Sequence, residues 1–246
     1  MASPRLLLLS NSRNVGQGYL EHAEPYIRTF LGTSVDRVLF IPYAAVRLTF
    51  DAFTEMVATR FGEMGYGVDP IHRVRSPKAA MRKAQAIVVG GGNTFQLLKT
   101  LHEKGLVAAI RERVKAGAPY IGWSAGANVA CPTMKTTNDM PIVEPPSLGA
   151  TGLVPFQINP HYLDAHPEGH GGETREERIL EFIAANPGIH VGGLREGSIL
   201  RVESGRLALL GEKTARVFRK GKEPREVGPN DDLAFLVRPA PRRRRK

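Results

Sequence analysis

Apolar and polar positions come in blocks along the first half of the chain. Short apolar runs at 5–9, 37–41, 86–89 and 119–122 are flanked by Gly, Asn, Pro or Ser, and longer segments of helical spacing lie between them at 18–31, 51–64 and 94–115. Runs of four or five residues rich in Val, Ile and Leu suit strands covered on both faces. Strands alternating with helices predict an α/β fold, a mainly parallel sheet with helices on both faces. Ligands of such sheets gather at the carboxyl ends of the strands, which points to loops 10–12, 42–44, 90–93 and the turn at Ser124.

The second half has a different texture. Residues 175–185 carry Ile179, Leu180, Phe182 and Ile183 among charges, an amphipathic helix with Thr174 as its N-cap. From His190, stretches 192–201, 206–210 and 214–220 read as short strands joined by Glu-Gly, Ser-Gly and Lys-Gly turns, a C-terminal antiparallel meander. With neither repeat nor long linker, the pattern predicts a single α/β domain over 1–238 and a basic, disordered tail over 239–246.

Composition changes this picture little. A chain of 246 residues, 42% hydrophobic, can bury a large core. The apolar run 6–9 is too short for a signal peptide and reads as a first buried strand, and the lone Cys131 excludes an internal disulfide. A cytoplasmic location is the default expectation, without a membrane partner. The net charge of +10 suggests nucleic acid, but Arg242 to Lys246 supply half of that excess. Such a run makes nonspecific contacts from a solvated end.

Chemistry enters at Gly122-Trp123-Ser124-Ala125-Gly126, between the fourth apolar run and the small-residue stretch 125–130. A Gly-x-Ser-x-Gly turn between strand and helix bends sharply and exposes the serine hydroxyl, and the next residue's N–H, that of Ala125, faces the developing oxyanion. Gly90-Gly91-Gly92-Asn93-Thr94 also links a strand to a helix. It lacks the spacing of a P-loop or a dinucleotide site, and its second role is to offer the Gly92 N–H to the same oxyanion. Seven histidines compete for the general base. His161, fixed by Pro160 after a strand-like run, leads His166, His170 and His190. The orienting carboxylate is Asp139, in a polar loop before His161, or Glu196, in a turn after it.

Several longer segments carry a family resemblance: residues 90–98, 122–128, Thr136-Thr137-Asn138-Asp139-Met140-Pro141-Ile142-Val143, Gln157-Ile158-Asn159-Pro160-His161, Pro167-Glu168-Gly169-His170, Gly172-Glu173-Thr174-Arg175 and the opening Leu7-Leu8-Leu9-Ser10-Asn11-Ser12. In this order they resemble the peptidase E family, the α-aspartyl dipeptidases, over about residues 6–218. The resemblance implies a fold like that of class I glutamine amidotransferases and hydrolysis of Asp-Xaa dipeptides through an aspartyl-enzyme. It implies Ser124 as nucleophile, His161 as base, Gly92 and Ala125 as oxyanion hole, and Asp139 as the acid with Glu196 as its rival. For the substrate's carboxylate and its surroundings the expected residues are Arg175, His170 and Asn93.

The resemblance calls for no cofactor and no metal, and the histidines show no metal-ligand spacing. Its partner is a small peptide, and a homo-oligomer is compatible with it. The alternative on the same fold is a cyanophycinase-like or other serine hydrolase. A glutamine amidotransferase would need cysteine at the elbow, whereas Cys131 lies seven residues beyond Ser124. An ordinary α/β-hydrolase esterase places its histidine near the end of the fold, and none follows His190.

Overall fold

The computed structural model describes residues 3–164, 169 and 171–237. The basic tail and the candidates His166 and His170 lie outside these described residues. The first half runs β1 (Leu6–Leu9), α1 (Glu24–Leu31), β2 (Arg37–Ile41), α2 (Phe50–Glu63), β3 (Gly67–Pro70), α3 (Pro77–Lys83), β4 (Ala86–Val89), α4 (Thr94–Glu103), α5 (Leu106–Lys115), β5 (Tyr120–Trp123) and α6 (Ala125–Asn128). The second half adds β6 (Gln157–Asn159), α7 (Arg175–Ala185), β7 (Val191–Leu194), β8 (Ile199–Glu203), β9 (Arg206–Leu210), β10 (Ala215–Arg219), β11 (Lys222–Val227) and α8 (Ala234–Val237).

Seven strands form the larger sheet in the order β3-β2-β4-β5-β1-β8-β9. The first five are mutually parallel; β8 pairs antiparallel with β1, and β9 pairs antiparallel with β8. Because side chains alternate along a strand, β1 feeds two cores. Leu6 and Leu8 pack in one cluster with Leu97, Leu101 and Ile110 of α4 and α5, while Leu7 and Leu9 join Ile27, Phe30, Val57 and Phe61 of α1 and α2 on the other face. Burying each leucine contributes roughly 1.5–3 kcal/mol, which explains why all four positions of this strand are apolar. No helix among the described residues is long and apolar enough to cross a membrane.

Three local features depart from the sequence pattern. The single helix expected over 94–115 is two, because Gly105 takes φ +62°, a left-handed conformation that stops α4 and lets α5 start at Leu106. Neither β3 nor α3 stands out in the sequence; Gly-Val-Asp-Pro is tolerated as a strand because it sits at the sheet edge. The stretch expected as one strand over 192–201 is broken by a turn at 195–198, closed by Ser198 N–H donating to Arg195 O with Gly197 at φ +90°. The C-terminal strands are therefore shared between sheets. β8 and β9 extend the larger one, and β7 and β10 pair in a second sheet ordered β11-β10-β7-β6.

Candidate active site

β5 ends at Trp123, and the chain turns at Ser124 (φ 52°, ψ −113°) directly into α6. A non-glycine residue there is strained and is held by its surroundings. Trp123 is buried, stacked on Phe40 and edge-on to Tyr19. The Tyr120 hydroxyl donates to Gly126 O at 2.6 Å. Glycine is required on both sides of the elbow: a Cβ on Gly122 would collide with the Gly126 carbonyl, and one on Gly126 with the Val89 carbonyl.

His161 and Glu196 come from neighbouring parallel strands of the second sheet. Asn159 of β6 registers with Gly193 of β7, and His161 and Glu196 each follow two residues past the end of their strand, so parallel pairing sets them side by side. His161 Nε2 lies 2.9 Å from Ser124 Oγ, and its Nδ1 lies 2.7 Å from Glu196 Oε1. A Nδ1–H donated to the carboxylate leaves Nε2 as acceptor for the serine proton.

Ser10 and Asn11, both buried, clamp this pair onto the end of β1. Ser10 Oγ accepts from His161 N at 2.9 Å and donates to Leu194 O at 2.7 Å, which helps hold His161 at φ 53°. Asn11 Oδ1 accepts from Gly197 N at 2.8 Å, beside Glu196. Arg195 anchors the other side of the turn by donating to Asp164 and Glu226. Its guanidinium holds both carboxyl groups below the usual carboxylate range. Residues 10 and 11 belong to the opening motif, but sequence reasoning gave them no role; the available signal is a polar pair directly after a wholly apolar strand.

The expectation that Asp139 faces the histidine gives way to a different placement. Its Oδ2 accepts from Thr94 N at 2.7 Å, from Thr94 Oγ1 at 2.5 Å and from Thr137 Oγ1 at 3.0 Å. These donors and the positive end of α4 bind the carboxylate at the helix N-terminus, and Glu196 occupies the position beside His161. His190 is also elsewhere, its ring against Phe235 and its Nε2 3.4 Å from Arg219 Nη1.

The glycine loop after β4 lies against the elbow. A Cβ on Gly91 would come within 3.0 Å of Ser124 Cβ, and Gly92, at φ +135°, abuts the Ala44 carbonyl. The N–H groups of Gly92 and Ala125 donate to no acceptor among the described residues. Asn93 caps α4 by accepting from Gln96 N at 3.0 Å and donates to Met140 O at 2.9 Å. Ser124, His161, Gly92 and Asn93 all line one cavity of about 610 Å³. Arg175 does not line it. It borders a smaller pocket of about 170 Å³ with Asp139, Asn138 and Arg178, where burial and then Arg178 lower its pKa against the pull of Asp139. Cys131 is fully buried, accepts from Ile158 N at 3.2 Å, and burial pushes its thiol pKa up, away from the reactive thiolate.

An elbow serine at the carboxyl edge of an α/β sheet, in line with an imidazole and a carboxylate, defines the serine-hydrolase class of site. The model of peptidase family S51 matches residues 6–210, and the chain belongs to that family, a family of serine peptidases. Its relatives include peptidase E of Nostoc sp. strain PCC 7120, 52% identical over 96% of this chain and 97% of that protein. Peptidase E of Salmonella typhimurium strain LT2 is 53% identical over 89% and 95%. Two solved structures share the fold. A peptidase from an acI-B1 actinobacterium gives a TM-score of 0.70 at 16% identity, covering 94% of this chain and 97% of its own. A Listeria monocytogenes EGD-e protein gives 0.64 at 24%, covering 85% and 99%.

Proposed function

We propose that the chain is a cytoplasmic serine-type dipeptidase that hydrolyses dipeptides with an N-terminal aspartate through an aspartyl-enzyme. The observation that carries this reading is the line Ser124 Oγ, His161, Glu196, at 2.9 Å and 2.7 Å, set on the elbow of a peptidase family S51 chain whose relatives are peptidases E.

His161 Nε2 takes the Ser124 proton as Oγ attacks the carbonyl of the N-terminal aspartate. The resulting oxyanion accepts from the N–H groups of Gly92 and Ala125, which donate to no acceptor among the described residues. His161 returns the proton to the leaving amine, and the second amino acid departs. Water then attacks the ester, giving its proton to His161, and Ser124 is regenerated with release of aspartate. Glu196 keeps the Nδ1–H tautomer and stabilises the imidazolium.

A panel of Asp-Leu, Asn-Leu, Glu-Leu and β-Asp-Leu tests reaction and specificity together. Asp-Leu should exceed Asn-Leu in kcat/KM by roughly tenfold to a hundredfold, the worth of a charged hydrogen bond. Equal turnover of all four, or hydrolysis of β-Asp-Leu alone, would overturn the reading in favour of a less selective or cyanophycinase-like hydrolase.

A further inference from the structure

The cavity in front of Ser124 has a flank that the acyl-transfer steps leave unused. It is lined by the half-buried Tyr19 and Met56, by the buried Trp123 and Phe53, and by the loop after β2. Phe40 stacks on Trp123 at 6.2 Å and meets Phe53 edge-on at 5.2 Å, and Tyr19 meets Trp123 edge-on at 6.1 Å, so this wall is apolar and well braced. A wall of this kind is a poor host for aspartate, whose β-carboxylate is costly to bury without donors. It is a good host for an apolar side chain on the second residue.

One cation lines the same cavity. Arg47 is exposed and lines the cavity, and it enters no hydrogen bond or ion pair among the described residues. In a dipeptide the terminal carboxylate carbon lies two bonds beyond the leaving nitrogen, about 2.5 Å through space by standard backbone dimensions. A group that reads this carboxylate must therefore share the cavity with Ser124. Arg47 does so, whereas Arg175 borders the separate pocket.

We infer that the wall formed by Tyr19, Phe53, Met56 and Trp123, with Arg47 in the same cavity, is the subsite for the second residue of the substrate. An apolar side chain lies on the wall, and the free α-carboxylate pairs with the Arg47 guanidinium. This rests on the dipeptidase reading and adds a reason for stopping at two residues: a longer peptide has a neutral amide where the guanidinium meets a carboxylate.

Kinetics of the wild type, Arg47→Ala and Arg47→Lys on Asp-Leu, Asn-Leu, Asp-Leu-amide and Asp-Leu-Ala, with calorimetric titration of each protein by leucine and leucinamide, test the inference. Arg47→Ala should raise KM for Asp-Leu by about tenfold or more with kcat nearly unchanged. It should leave the weaker turnover of Asp-Leu-amide and Asp-Leu-Ala where it was, and Arg47→Lys should recover part of the loss. Binding of leucine, and not of leucinamide, should weaken in Arg47→Ala. Equal losses on Asp-Leu and its amide, or no loss, would overturn the inference. So would a lost preference for Asp-Leu over Asn-Leu, which would move Arg47 to the aspartate side. If the wild type leaves Asp-Leu intact, the dipeptidase reading fails, and the titrations still decide the subsite: Arg47-dependent binding of leucine sustains it and its absence removes it.

Discussion

Glu196 and Asp139 are both loop carboxylates, and what separates them is which donors surround each one. Asp139 is engaged by Thr94 and Thr137 at the start of α4, while Glu196 has His161 Nδ1 at 2.7 Å. Glu196→Gln should therefore lower kcat by roughly a hundredfold to ten-thousandfold, as loss of the orienting carboxylate does in triads, with little change in KM. Asp139→Asn should cost about 1 kcal/mol of stability through the lost charge at the helix N-terminus and spare most of kcat. Steady-state kinetics and thermal melts of the two variants check this, and a collapse of kcat confined to Asp139→Asn would reverse the assignment. Ser124 and His161 were legible as candidates from local chemistry, the elbow glycines and Pro160. The choice of acid was not legible, because it depends on where a distant turn lands.

That turn belongs to the scale of elements. The sequence pattern reads 192–201 as a single strand while placing Glu196 in a turn, and it gives no sign that the two halves, Val191–Leu194 and Ile199–Glu203, belong to different sheets. Pairing partners far away in sequence decide otherwise: β7 pairs with β6 and β10, β8 with β1 and β9. The four residues crossing between sheets carry Glu196 to His161. Ser10 is the residue that ties this crossing to His161, through His161 N and Leu194 O. Ser10→Ala removes both hydrogen bonds and should destabilise the protein by about 1–3 kcal/mol, the cost of leaving buried partners unpaired. It should also lower kcat with KM nearly constant, because the imidazole loses its fixed position while the cavity keeps its lining. Ser10→Thr, which keeps the hydroxyl, should restore part of kcat. A variant with a lower melting temperature and unchanged kcat would show that the clamp supports the fold and not the chemistry.

Across the whole molecule, the site lies on a seam. Ser124 comes from the carboxyl edge of the seven-stranded sheet, and His161 and Glu196 come from the strand ends of the four-stranded one. The larger sheet was readable in outline because β1, β4 and β5 are short, fully buried apolar runs, and β2 nearly so, separated by helical spacing. The smaller sheet was only partly readable: β6 has three residues, two of them polar, β11 carries consecutive charged residues, and β6 pairs with β7 more than thirty residues along the chain. The seam explains why the serine elbow alone implied a nucleophile but no reaction; two of the three groups arrive from another layer of the fold. The most direct test of this account is the rate of Asp-Leu hydrolysis by purified wild-type protein and by Ser124→Ala at equal concentration near neutral pH. The wild type should cleave the dipeptide and Ser124→Ala should lose about ten-thousandfold or more in kcat, as removal of the nucleophile does in serine hydrolases; undiminished cleavage by Ser124→Ala would contradict the account.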